Sequence, residues 1–185
     1  WGRDLQVWFA EGRDHRSPNN APDGPEKTIW GAEQKAWFKD TVRASDATWK
    51  VVVSPTPLVG PDRPSGKCDN HANAGFRHEG DELRSWLREQ VGDRLFVICG
   101  DRHWQYHSVH PETGLREFGC GPASDEHAGG TPGYDPKVHR FHRVAGGFLS
   151  VGVEPSGAMA RITVRHHDVG GAVVHEWTDE RAWSA

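Results

Sequence analysis

Sulfur is scarce in this chain, with three cysteines and one methionine among 185 residues. Three is an odd number, and Cys68, Cys99 and Cys120 show no CxxC spacing. That excludes a disulfide framework and a cysteine-rich zinc site, and leaves one pair plus a free thiol as the open alternative. Cys99 closes an apolar run and reads as a small buried residue. Apolar residues are also few, 35% by count, with a mean hydropathy of −0.73. No uninterrupted apolar run exceeds a handful of residues, which excludes a membrane-spanning helix. No basic stretch leads into an apolar one, so no signal peptide is expected within it. Neither sign of charge dominates. The formal net charge is −4 and the pI about 6.3, which argues against a general binder of nucleic acid or anionic membranes. Internal repeats and low-complexity tracts are lacking as well.

What the chain has in quantity is aromatic and imidazole rings. Nine Trp and seven Phe are a large apolar payload for one domain of this size. Protonating all 12 histidines would carry the formal charge from −4 past neutrality, so surface charge depends steeply on pH between about 5 and 7. The chain opens on Trp1 and its single methionine is Met159. A processed product or a fragment of a longer polypeptide is therefore expected.

The first half reads as α/β. Leu5 to Ala10 (LQVWFA) and Trp49 to Ser54 (WKVVVS) have strand composition. Gly31 to Ala44 repeats its apolar positions (Ala32, Ala36, Trp37, Thr41, Val42) near a 3.6 period, predicting a helix. Glu79 to Val91 predicts a second, with Leu83, Trp86, Leu87 and Val91 on one face. Leu95 to Cys99 (LFVIC) is continuously apolar, as in a strand buried on both faces of a helix-flanked sheet. Beyond His103 the chain reads as strands with short turns: Trp104 to His110, Leu115 to Gly119, Gly147 to Val153, Ala158 to His166 and Ala172 to Trp177. The Gly/Pro/His-rich stretch between Gly119 and Gly146 shows no periodicity and is too long for a casual connection. No linker divides the chain, so residues 1–185 are expected to belong to one domain.

Gly100-Asp101-Arg102-His103 is the sharpest local feature. A buried strand delivers Asp101 and His103 to its C-terminal tip, where α/β sheets place their sites. In an extended segment residues two apart share a side, so a carboxylate and an imidazole converge on a cation. The alternative is that Asp101 caps a turn and His103 packs among aromatics.

VICGDRHWQYHS (Val97 to Ser108) resembles the C-terminal metal motif of PhoD-like alkaline phosphatases, a branch of the metallophosphoesterases. WGAEQKAWFKDTVRASDATWKVVVSPTP (Trp30 to Pro57) is similar to that family's G-x-x-Q-x-x-W-L helix and following strand. WFAEGRDHR (Trp8 to Arg16) stands at its LDTRxYR element, with Glu11 where the family has Asp. EFGCGPASDEHAGG (Glu117 to Gly130) resembles the loop after the GDxH strand. These pieces run in the right order over about residues 1 to 130.

The resemblance implies the C-terminal part of an α/β/β/α sandwich with mixed sheets. It implies hydrolysis of phosphate mono- or diesters by a metal-activated hydroxide, with two or more divalent or trivalent ions drawn from iron, calcium, zinc and manganese. Asp101 and His103 match the family's C-terminal ligands, and Arg13 and Arg16 its phosphate-binding arginines. The family's N-terminal ligand patterns (DxH or DxxC, then GD, then GNH) do not precede GDRH here. The chain therefore looks like a C-terminal half that needs the N-terminal half of the same protein as well as a phosphoester substrate. A periplasmic or secreted location is implied by resemblance alone. A non-catalytic module holding a phosphate or carbohydrate ligand is the alternative.

Remaining candidates are weaker. His71 and His107 are named as candidate catalytic residues and Asn73 as a substrate contact. The 69–73 loop (DNHAN) equally suits self-bonded Asx turns. His107 shares a face with Asp101, His103 and Gln105 if the strand stays regular, where it would protonate a leaving group. It equally suits a filler of that strand face. Ser124, Asp125 and His127 are placed to line the pocket. His166-His167-Asp168 reads as hairpin chemistry, and HRFHR (His139 to Arg143) as a basic patch at the mouth of the site or a solvated loop.

Overall fold

The computed structural model describes residues 3–64 and 66–183. Its elements in chain order are β1 (Leu5–Phe9), α1 (Gly31–Ala44), β2 (Trp49–Ser54), α2 (Arg77–Gln90) and β3 (Leu95–Cys99). There follow β4 (Gln105–Val109), β5 (Arg116–Cys120), β6 (His139–Arg143), β7 (Phe148–Ser156), β8 (Met159–His167) and β9 (Val173–Ala182). Six strands form a mixed sheet in the order β1-β2-β3-β5-β4-β6. Within it β1, β2, β3 and β5 run parallel, and β4 is antiparallel to β5 and β6. The last three strands form a separate antiparallel sheet, β7-β8-β9.

Alternation along β2 and β3 decides the layers. Val52 and Val97 face the helices and pack with Trp8, Trp30, Phe38, Leu83 and Leu87. Their neighbours Val51 and Phe96 face the other way, against Ile162 and Val164 of β8 and Trp177 of β9. The result is helix, sheet, sheet: part of an α/β/β/α sandwich. Trp49 spans the seam between the sheets, and its indole N–H donates to the Ala160 carbonyl at 2.9 Å. Each large side chain buried this way stabilises the fold by roughly 1.5–3 kcal/mol.

Helix α1 matches the expected span. The Thr28 hydroxyl accepts the Gly31 N–H at its start, Glu33 lies in the first turn and Arg43 in the last, as the helix dipole favours. Phe38 and Val42, four apart, are its buried residues, whereas Trp37 is 48% exposed and not part of the core stripe. Helix α2 begins at Arg77, ahead of the expected Glu79. Asn73 caps a 3-10 turn over Ala74–Phe76 by accepting the Gly75 N–H, and that turn runs directly into the helix.

The HRFHR segment is not a solvated loop: it is β6, paired to β4 with a bulge at His107/Ser108, and none of its residues lines the cavities beside Asp101 and His103. It lacks aliphatics, which hid it, but a short charged strand is what an exposed sheet edge favours. Strand β9 runs on to Ala182, past the expected end at Trp177. Asp168 accepts the N–H groups of Gly170 and Ala172, both at 2.9 Å, so the segment after His166 is hairpin chemistry. All three cysteines are free thiols, and Cys99 is buried. No described helix is long and apolar enough to cross a membrane.

Candidate active site at the C-terminal edge of the parallel strands

Because β1, β2, β3 and β5 run parallel, the loops that leave them emerge at one edge of the sheet, where such sheets hold ligands. Strand β3 ends at Cys99, and the chain then turns sharply. Asp101 adopts φ +65°, and the Arg102 N–H returns to the Gly100 carbonyl at 2.8 Å. The motif is thus a tight turn and not the extended run expected from spacing. Asp101 and His103 are brought together all the same: both are exposed, and both line the same two adjoining cavities, of about 420 and 360 Å³.

The smaller cavity is walled by Arg13, Arg63 and Lys67, with Asp62, Asp69 and Arg102. The larger is walled by Arg63, Trp104, Glu126, His127 and the glycines 129 and 130. Arg63 therefore stands on both sides of the Asp101–His103 pair.

Arg102, inside the motif, is buried and holds Asp101 in place. One guanidinium nitrogen donates to Asp62 Oδ1 at 2.9 Å, the other to Asp101 Oδ2, and Asp69 lies 3.8 Å away. Asp62 is steadied in turn by the side-chain amides of Asn70 (2.6 Å) and Asn73 (3.4 Å). Asn73 lines neither cavity; its amide supports this carboxylate and its oxygen caps the turn before α2.

Glu11 explains why Arg13 reaches the cavity. Its carboxylate accepts the Arg13 and Asp14 N–H groups at 2.5 and 2.8 Å, folding the loop back on itself. Burial would raise the carboxyl, but the backbone N–H groups of Asp14, Arg13 and Gly12 outweigh it and hold it below the ordinary value. Gln34 of α1 ties the same loop to the helix, accepting the Glu11 N–H at 2.7 Å and donating to its carbonyl at 2.9 Å. Arg16 is directed elsewhere, 3.9 Å from Asp69 and outside both cavity walls.

Neither histidine named as catalytic lies at this edge. His71 is buried beneath it, with Nε2 2.9 Å from Glu79 Oε2 and its ring edge-on to Trp30. Desolvation lowers its pKa, so the neutral ring donates to Glu79. His107 lies in the seam between the sheets, stacked on Phe118 at 4.3 Å, 3.1 Å from His175 and 3.1 Å from Arg116. Burial, with Arg116 and His175 beside it, pulls its pKa down to about 2. Strand alternation cannot be counted back from His107 to Asp101, because β4 starts only at Gln105. Sequence reasoning passed over Arg63, Lys67 and Glu126. Asp62 and Arg102 were also missed, although Arg102 stands inside the motif and is its only cation.

The family description PhoD-like phosphatase matches residues 1–148. The chain belongs to the PhoD-like phosphatase family. Among solved structures, the structure of PhoD superposes with a TM-score of 0.68 at 15% identity, covering 99% of this chain and 41% of that one. GAP50, the anchor in the inner membrane complex of Plasmodium, superposes with a TM-score of 0.53 at 14% identity, over 90% of this chain and 46% of that one. At such identities the likeness concerns the fold. No curated protein matches. This PhoD-like chain thus spans about two fifths of the length of the solved PhoD structure.

The metal ions implied by the family resemblance can be tested against the donors present. A carboxylate and an imidazole that open on the same cavities suit a transition-metal ion as two members of a coordination shell. Among the described residues, no group of three or more His, Cys, Asp or Glu side chains could hold an ion. Asp101 and His103 therefore fit as part of such a site and not as the whole of it.

Proposed function

We propose that this PhoD-like chain supplies the C-terminal share of a metal-dependent phosphoester hydrolase active site. The observation that carries the reading is the exposure of Asp101 and His103 on cavities that also hold Arg13 and Arg63. When bound, metal ions would supply Lewis-acid charge to the phosphate and acidify water at neutral pH. The chain's own residues do the rest. Arg102 and Asp62 fix the Asp101 carboxylate, and Arg13 and Arg63 offer guanidinium forks to the non-bridging phosphate oxygens. The remaining ligands would come from the N-terminal half of the same protein. The two-fifths coverage of the PhoD structure supports that requirement.

The test uses the complete polypeptide, with p-nitrophenyl phosphate and bis(p-nitrophenyl) phosphate as substrates and elemental analysis of retained metal after dialysis. Asp101→Ala and His103→Ala should lose both metal and turnover. The loss should be at least as large as the 10–100-fold that removal of an outer-shell partner typically costs. Full activity in both variants would overturn the reading. Phosphate binding without turnover in the parent protein would favour the non-catalytic phosphate- or carbohydrate-binding alternative.

A further inference from the structure

With the buried histidines assigned to the core, the cavities retain two imidazoles, and the second has no role in the reading above. His127 lines the larger cavity with Asp101, His103 and Arg63. It ends a 3-10 turn, Asp125–His127, in the glycine-rich segment after β5. Glycine-rich loops are often mobile, but this one is held from several sides. The Gly129 N–H donates to the His103 carbonyl at 2.9 Å, tying the loop to the metal-motif turn. The Gly146 N–H donates to Asp125 Oδ1 at 2.8 Å. The chain before β7 passes so close that a Cβ at Gly146 would lie 2.5 Å from the Ser124 carbonyl carbon. Ser124 Oγ lies 3.3 Å from His127 Nδ1, while Nε2 has no protein partner among the described residues.

We propose that His127, held through Nδ1 by Ser124, is the proton donor to the leaving-group oxygen, in the cavity adjoining the one that receives the phosphate. This rests on the hydrolase reading. The smaller cavity, with Arg13, Arg63 and Lys67, suits the charged phosphate oxygens. The larger one, with Trp104 and the backbone of Gly129 and Gly130, suits the group that departs. In the step, the oxygen of water forms a bond to phosphorus and the bond from phosphorus to the ester oxygen breaks. The electron pair of that bond stays on the ester oxygen, and the His127 imidazolium Nε2–H gives it a proton, releasing an alcohol. The proton lost by the attacking water passes to solvent, and His127, exposed on its turn, is recharged from solvent.

A proton donor matters most when the leaving oxygen is strongly basic. The experiment therefore compares kcat/KM of the complete polypeptide for an alkyl phosphate and for p-nitrophenyl phosphate, whose leaving group departs without a proton. His127→Ala should lose about 100-fold or more on the alkyl ester and change little on the nitrophenyl ester. Added imidazole should restore part of the alkyl activity. Ser124→Ala, which only frees the ring, should show a smaller loss with the same selectivity. Equal losses on both esters, or none on either, would overturn the assignment while leaving the hydrolase reading intact. A parent protein inactive on both esters would overturn the hydrolase reading, and the role of His127 with it.

Discussion

Glu117 has no exposed surface and answers four donors. Its Oε2 accepts the Leu58 and Val59 N–H groups at 2.6 and 2.9 Å, and its Oε1 the Gly60 N–H and the Tyr106 hydroxyl, both at 2.8 Å. Burial raises this carboxyl above the ordinary value, with the three backbone N–H groups and Tyr106 pulling against it. The residue pins the loop that carries Asp62 and Arg63 to the edge of the sheet. Glu117→Gln places an amide N–H₂ where only acceptors fit, against donors on either side. It should cost about 2–3 kcal/mol, seen as a lowered denaturation midpoint at unchanged m-value. Asp101 and His103 were legible at this scale, because a four-residue motif at the end of an apolar run needs only local reading. Glu117 was not, since nothing near it in the chain says that residues 58 to 60 will aim three N–H groups at it.

Seen as elements, the β7–β9 sheet docks on the mixed sheet through a cluster of rings that includes His107, His166 and His175 with Phe118, Phe141 and Trp177. Burial lowers all three histidines; Arg116, His175, His166 and Arg140 add to it at His107, which falls to about 2, and His175 and His167 add to it at His166, which falls to about 4. A histidine depressed in the native state binds fewer protons there than in the unfolded chain. Stability is therefore full above the unfolded value near 6.5 and falls as pH drops through 6.5 towards those lowered values. Melting followed by near-UV circular dichroism should show Tm falling between about pH 7 and 5. The slope should shrink in His107→Gln, and an unchanged slope would place the effect elsewhere. Helix α1 and strands β2 and β3 were readable from period and composition. Strand β6 was not, because an edge strand of His and Arg carries no apolar alternation.

At the scale of the whole molecule, the loops at one edge of the mixed sheet gather Asp101 and His103, a buried guanidinium clamp and the cations Arg13, Arg63 and Lys67. If that edge is completed by the N-terminal half, metal binds the native state only and stabilises it by mass action. Chelation should then lower Tm of the complete polypeptide, re-addition of metal should restore it, and Asp101→Ala should be insensitive to both. At about 100-fold excess of free ion over its Kd the difference is about 2.7 kcal/mol. A Tm indifferent to chelator in the parent protein would count against a metal site at this edge.

The sequence by itself determined the α/β character, the family and the pair Asp101–His103. Those rest on hydrophobic period, strand composition and short motifs, all of which act over a few residues. Only the tertiary structure decided which histidines are core and which are site. Two imidazoles, His107 and His127, end up between two sheets and on a cavity wall. The difference lies in the register of β4 against β5 and β6 and in the turn that Gly146 packs against. Burial is a property of what other segments bring alongside, and no local pattern encodes it. For the same reason Arg16 and Asn73 were plausible substrate contacts by position, yet one turns to Asp69 and the other supports Asp62.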